Sequence, residues 1–233
     1  MQEKRLEELY KKYWDGLRLF RDNNGLGSPL LIKSDNKKVR LFIVGQETFG
    51  GWEGNSIKEC QNDYKKVLSI CLKTKKPKER YQEKWDTWST YQSVFWRTVR
   101  MLIIELKINP QKECVVWNNI NRMDYKGYSP SDKIKGEMIK RFPMLQQEIK
   151  IFEPKLIVFF THQRYDELLK QSFEEGKNKI SFQKLKGLPQ KKLVKIIIGG
   201  FKGEAYRTYH PAYKPKKEIE KIISIIIKDF KNN

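Results

Sequence analysis

The sequence predicts an α/β domain in which a central, mainly parallel four-stranded sheet lies between two layers of helices, a three-layer α/β/α sandwich. Short apolar segments typical of buried strands alternate with longer segments whose apolar residues recur every three or four positions. Strands separated by helices pair in parallel, because each helix carries the chain back in a right-handed crossover. A chain of 233 residues fits one domain, so we expect a single domain over residues 1–233.

Each predicted element follows from its own apolar pattern. The predicted strands are 38–44, 114–117, 156–160 and 192–198. The predicted helices are an N-terminal helix at about 3–21, then 57–72, 93–106, 133–151, 163–173 and 217–230. Pro143 lies inside the fourth of these helices, where its missing N–H predicts a kink or a first turn.

The amino-acid composition indicates which kinds of partner the protein binds. The chain carries 48 Lys and Arg against 28 Asp and Glu, a formal charge of +20, which favours a polyanion such as DNA. A Lys-rich bias from an AT-rich genome is the alternative explanation. No apolar run is long enough to span a bilayer, and the chain begins without the apolar core of a secretion signal, so we expect a cytoplasmic protein without a membrane partner.

Cysteine usage argues against a metal centre. Cys60, Cys71 and Cys114 are odd in number and unrelated in spacing, whereas zinc and iron–sulfur sites need paired ligands at close intervals. We therefore expect reduced thiols, no metal and no cofactor.

Polar residues follow the predicted strands. In a parallel sheet the functional groups gather at the carboxyl ends of the strands. The residues expected there are Gly45 to Phe49, Asn118 with Asn119, Thr161 with His162, and the later segment that leads to His210 and Pro211.

These segments, in this order, resemble the motifs of the uracil-DNA glycosylase superfamily. Val44-Gly45-Gln46-Glu47-Thr48 is similar to the first motif, whose usual Pro is Thr48 here. Val115-Val116-Trp117-Asn118 is similar to the strand that ends in a base-reading Asn. Tyr209-His210-Pro211-Ala212 matches the final His-Pro motif, and Phe95-Trp96-Arg97 resembles a helix of the mismatch-specific branch. The resemblance spans about residues 39 to 215.

The resemblance implies a monomeric DNA repair glycosylase that hydrolyses the N-glycosidic bond of uracil or a related damaged base in single- or double-stranded DNA. It implies His210 as the donor to the uracil oxygen and Glu47 as the carboxylate that positions water. The remaining assignments are Gly45, Gln46, Phe49 and Asn118 in substrate binding, and Tyr213 and Lys214 in DNA binding.

The chemistry of base removal explains why these residue types are suited to the assigned roles. The base must be flipped into a pocket, and the negative charge that grows on it needs a preorganised donor. The amide of Asn118 suits the edge of a pyrimidine, although Asn also forms turns. Glu47 is equally explained as a loop carboxylate that accepts backbone bonds. We interpret His162 as structural.

Two alternatives remain open. A superfamily member that binds nucleic acid without cleaving it is favoured by Thr48. A different α/β enzyme acting on nucleotides would need a phosphate-binding Gly-rich loop, of which residues 49–54 are only a faint version.

Overall fold

The computed structural model describes residues 1–48, 52–73, 91–173 and 179–232. Its helices are α1 (Gln2–Asn24), α2 (Ile57–Cys71), α3 (Val94–Glu105), α4 (Asp132–Arg141), α5 (Met144–Phe152), α6 (Asp166–Gln171) and α7 (Lys216–Asn232). Its strands are β1 (Lys38–Glu47), β2 (Glu113–Asn121), β3 (Leu156–Phe159), β4 (Ile180–Lys184), β5 (Leu193–Ile198) and β6 (Glu204–Thr208). Short 3-10 helices occupy Gln163–Tyr165 and Pro211–Tyr213.

The sheet confirms the α/β class and corrects the strand count. Within the described ranges it has six strands in the order β2-β1-β3-β6-β5-β4. Three pairs of neighbours are parallel, namely β2 with β1, β1 with β3 and β3 with β6. In contrast, β5 is antiparallel to both β6 and β4. The prediction of a four-stranded sheet is therefore wrong, and the predicted strand 192–198 is the antiparallel β5.

The two unpredicted strands lack the apolar pattern that identifies a buried strand. β4 is half-exposed along its length. β6 is buried but contains Glu204 and Arg207. Arg207 is fully buried because its guanidinium forms two bonds, of 2.9 and 2.8 Å, with the carboxylate of Asp166. A buried charge is tolerated when it is paired in this way, and such a strand escapes a search for apolar runs.

Strands β1 and β2 continue beyond their predicted ends. Gly45 pairs with Asn119 and Glu47 with Asn121, so the first-motif residues and the Asn segment belong to strands rather than to loops. Polar residues can occupy these positions because their side chains bond across the two strands, as described below.

The helices follow the prediction with two exceptions, of which one is the predicted helix 163–173, which consists of a 3-10 helix followed by the short α6. α1 covers and extends the predicted N-terminal helix, and it ends at Gly25, whose φ of 61° suits glycine. The predicted helix 133–151 is two helices, α4 and α5, separated at Phe142 and Pro143. Pro143 cannot donate the backbone bond that a continuous helix needs there.

The core surrounds the middle of the sheet. Every residue of β3 and most of β1 are buried, so both faces of these central strands are covered. In the described part of the chain, no helix is at once long and apolar enough to cross a membrane.

Candidate functional site

A cavity of about 270 Å³ lies at the carboxyl ends of β1 and β2. Its polar side is formed by Gly45 to Thr48 and Asn119, and its apolar wall by Trp52, Phe95, Trp96 and Trp117, with α2 contributing Val67, Ile70 and Cys71. Ser93, which precedes α3, and His210, which follows β6, complete the lining. Trp96 lines this cavity while packing edge-on against Trp117.

Stacking holds His210 in the cavity. Its ring lies against Phe95 of α3, with centroids 5.5 Å apart and planes 15° apart. Nδ1 accepts a bond of 3.3 Å from the backbone N–H of Ala212, at the start of the short helix that Pro211 opens. Because Nδ1 accepts, the neutral ring carries its proton on Nε2.

The surroundings of His210 keep its imidazole neutral. Burial lowers the pKa of His210 to about 4, and the positive charge of Arg164 acts in the same direction. At neutral pH the ring therefore offers an uncharged N–H donor in a largely apolar cavity.

Asn119 rather than Asn118 is the strand amide that lines the cavity. Its Nδ2 donates to the carbonyl of Glu47 at 2.9 Å and to the hydroxyl of Thr48 at 3.3 Å, while its Oδ1 accepts from the indole of Trp117 at 3.2 Å. A Cβ built on Gly45 would overlap this Oδ1. Glycine at position 45 is therefore required by the close approach of the Asn119 side chain.

Replacement of Gly45 by alanine is expected to lower the free energy of unfolding by about 1–3 kcal/mol, because the new methyl group displaces the Asn119 amide. Gly136→Ala in α4 is the control, since its Cβ would have no neighbour closer than 3.8 Å. That variant should be stabilised by about 0.4–1 kcal/mol. Urea denaturation measures both, and equal effects of the two substitutions would contradict the assigned packing.

Asn118 requires a correction. Its side chain is fully buried on the other side of β2, where Nδ2 donates to Oε2 of Glu148 at 2.5 Å and Oδ1 accepts from the N–H of Asn119. Successive strand residues face opposite sides of a sheet, so a shift of one position exchanges the pocket residue with a core residue. The structure therefore places Asn118 outside the cavity lining and Asn119 within it.

Glu47 lines the cavity, but its carboxylate is held by neighbours. Oε1 accepts from the hydroxyl of Tyr165 and lies 3.1 Å from Nζ of Lys135, and Oε2 accepts from Asn121 at 2.9 Å. Burial raises the pKa of Glu47, yet the hydrogen bonds from Tyr165, Asn121 and Ser129 and the charge of Lys135 outweigh burial, so the net pKa lies below its usual value. The group is a fixed anion.

Gln46 and Thr48 hold the end of β1 to its neighbours. The Gln46 amide donates to the carbonyl of Thr161 at 2.9 Å. Thr48 donates both its N–H, at 3.1 Å, and its hydroxyl, at 3.0 Å, to the carbonyl of Asn121. A proline at position 48 would have neither donor, so these two bonds explain why a threonine occupies the position of the usual proline.

The predicted DNA-contacting residues lie beside His210. Tyr213 is 59% exposed, with its ring centroid 5.2 Å from that of His210. Lys214 places Nζ 4.3 Å from the ring centroid of Tyr209. The ring of His162 stacks on the ring of Tyr209, and neither residue belongs to the cavity lining. Phe49, which was predicted to bind the substrate, lies outside the described residues.

The thiols are free, and Cys71 lines the cavity with a pKa that burial raises to about 12. Among the described residues, no three His, Cys, Asp or Glu side chains are grouped so as to hold a metal ion.

None of the protein-family models matches this sequence. None of the curated proteins is significantly similar to it either.

Proposed function

We propose that the protein is a DNA glycosylase that removes uracil or a related damaged base. The observation that carries this proposal is the neutral imidazole of His210, stacked on Phe95 in an aromatic cavity with its Nε2–H as the available donor. A departing base anion needs such a donor in a site that excludes water.

The dimensions and walls of the cavity support a planar base as its occupant. About 270 Å³ is slightly below the range of about 300–1,000 Å³ that drug-sized ligands fill, so the cavity suits one small heterocycle. The side chains of Trp52, Phe95 and Trp117 present ring surfaces on which a flipped base can stack. The amino-terminal turn of α3, which includes Phe95 and Trp96, also borders the cavity, and its positive end favours negative charge on the base.

The arrangement of strands supports the resemblance on which the function rests. Four neighbouring parallel strands, in the order β2-β1-β3-β6, carry the first motif at the end of β1 and His210 after β6. We therefore assign the chain a uracil-DNA glycosylase-like, three-layer fold, to which the antiparallel strands β4 and β5 are an addition.

The proposed reaction breaks the bond between the base nitrogen and C1′ of the sugar, and the bonding electrons leave with the base. His210 donates a hydrogen bond from Nε2 to the base oxygen on which negative charge grows. Water adds to C1′ and releases a proton to solvent. Glu47 has a lowered pKa and is therefore a weak proton acceptor, so its role is to orient water and to stabilise positive charge on the sugar.

The bonds that occupy Glu47 favour a second candidate, a nucleic-acid-binding protein that does not cleave. With Tyr165, Lys135 and Asn121 already bonded to its carboxylate, Glu47 would then only anchor β1. The two functions differ in base release and not in affinity.

Base release under enzyme excess tests the proposal, with oligonucleotides that carry one uracil, one mismatched thymine or one deaminated purine. Release from at least one of these substrates supports it. Salt-sensitive binding of all of them without release would leave the non-catalytic candidate.

A further inference from the structure

Residues 185–192 connect the antiparallel strands β4 and β5. This segment lies at the same end of the sheet as the cavity, where the parallel strands terminate. β5 is antiparallel to β6 and pairs Leu193 with Thr208, two residues before His210. β4 is antiparallel to β5 and pairs Lys184 with Val194. The carboxyl end of β4, the start of β5 and the end of β6 therefore lie at the same edge as His210.

This segment and its flanks are strongly basic. Between Lys179 and Lys202 the sequence contains seven lysines and no Asp or Glu. Lys184, Lys186 and Lys191 are exposed, and no carboxylate of the described residues forms an ion pair with any of the three. Exposed lysines of this kind suit an anionic partner.

Backbone contacts fix the segment to the strand that leads to His210. The guanidinium of Arg207 donates to the carbonyls of Gln190 at 3.0 Å and Lys191 at 3.4 Å. The hydroxyl of Thr208 donates to the carbonyl of Lys192 at 2.8 Å. Since Arg207 is also held by Asp166, the position of the segment relative to His210 is set by a buried ion pair.

We propose that Lys184, Lys186 and Lys191 form a phosphate-binding surface for the DNA backbone, on one side of the nucleotide that enters the cavity. The proposal rests on the proposed function, because it takes DNA as the partner. Two strand spacings of about 4.8 Å separate β4 from β6, so Lys184, at the end of β4, lies about 10 Å from the strand that leads to His210. At about 3.4 Å per nucleotide along one strand, that distance is about three nucleotides.

Lysine chemistry specifies the kind of contact. Lysine is a compact point charge that binds phosphate without the bidentate geometry with which arginine reads guanine. The surface contains no arginine between Lys179 and Lys202. It therefore contributes affinity and register on the DNA rather than sequence preference.

The test compares two triple variants of equal charge. Lys184→Gln, Lys186→Gln and Lys191→Gln remove the proposed surface. Lys112→Gln, Lys155→Gln and Lys202→Gln remove three exposed lysines that precede β2, β3 and β6, at the opposite edge of the sheet. Binding to a lesion-free duplex is measured between about 50 and 200 mM salt, a range over which phosphate contacts dominate the change in affinity.

The first triple variant should make the negative slope of log K against log salt shallower by about 2–3, since each phosphate contact contributes about 0.7–0.9 to its magnitude. Its affinity at low salt should fall about tenfold or more, whereas the control variant should keep the wild-type slope. Equal slopes in the two variants would overturn the proposed surface. A wild-type protein that does not bind DNA would instead contradict the proposed function, so the two failures are distinguishable.

Discussion

Replacement of Glu148 by alanine is expected to lower the free energy of unfolding by about 3–5 kcal/mol. The Glu148 carboxylate is fully buried and forms two contacts of 3.2 Å with the guanidinium of Arg122. It also accepts from the hydroxyl of Tyr10 at 2.9 Å and from the amide of Asn118 at 2.5 Å. The alanine variant leaves a buried guanidinium and two buried donors without their acceptor, which is the most costly kind of core substitution.

Glu137→Ala is the matched control, because Glu137 also pairs with an arginine, Arg141, but on the exposed surface of α4. An exposed pair four residues apart in a helix contributes only about 0.3–0.5 kcal/mol. Guanidinium chloride denaturation of both variants gives the comparison. A loss of less than about 1 kcal/mol in Glu148→Ala would show that the side chain is not the centre of a buried network.

Replacement of His210 by alanine is expected to slow single-turnover base release about 100- to 1,000-fold, the usual effect of removing one donor to a developing oxyanion. The substitution leaves the strands and the core unchanged, because His210 lies on a loop and is only partly buried. Substrate affinity should change far less than the rate, since the hydrogen bond strengthens as charge develops on the base.

His162→Asn serves as the control for His210, because His162 lies outside the cavity lining and an asparagine Oδ1 can accept the bond that His162 Nδ1 accepts from the backbone N–H of Arg164. It should keep the wild-type rate within a few-fold. The pKa of His210 of about 4 adds a second criterion. Protonation of His210 should lower the wild-type rate only as the pH approaches 4, and a rate that tracks a pKa near 6.5 would contradict a neutral His210.

The parts of the fold that could be predicted from the sequence are those in which local pattern and burial agree. The apolar run of β3 and the amphipathic pattern of α1 are both of this kind. β6 could not be predicted in this way, because Arg207 is buried only through its partner Asp166, a contact that joins residues 41 positions apart. β4 is short and half-exposed, so its pattern does not differ from that of a loop.

The candidate site was predictable in its location but not in its detail. Gly45 and His210 both line one cavity. His210, however, follows the unpredicted strand β6 and not the predicted strand 192–198, whose carboxyl end lies at the opposite end of the sheet. The choice between Asn118 and Asn119 depends on which of two successive residues of β2 faces the cavity, and the continuous apolar run that precedes them does not define this. The bond between Glu47 and Tyr165 joins positions 118 residues apart, so no local pattern could indicate that the carboxylate is occupied.

The measurement that tests the account most directly is the simultaneous quantification of free base and abasic strand after incubation of a single-uracil oligonucleotide with excess protein. A base-removing enzyme produces free uracil and abasic sites in equal amounts and leaves the phosphodiester backbone intact, and we expect both products to be lost in His210→Ala. Binding without either product, or cleavage of the backbone without free base, would contradict the assignment of the cavity to base removal.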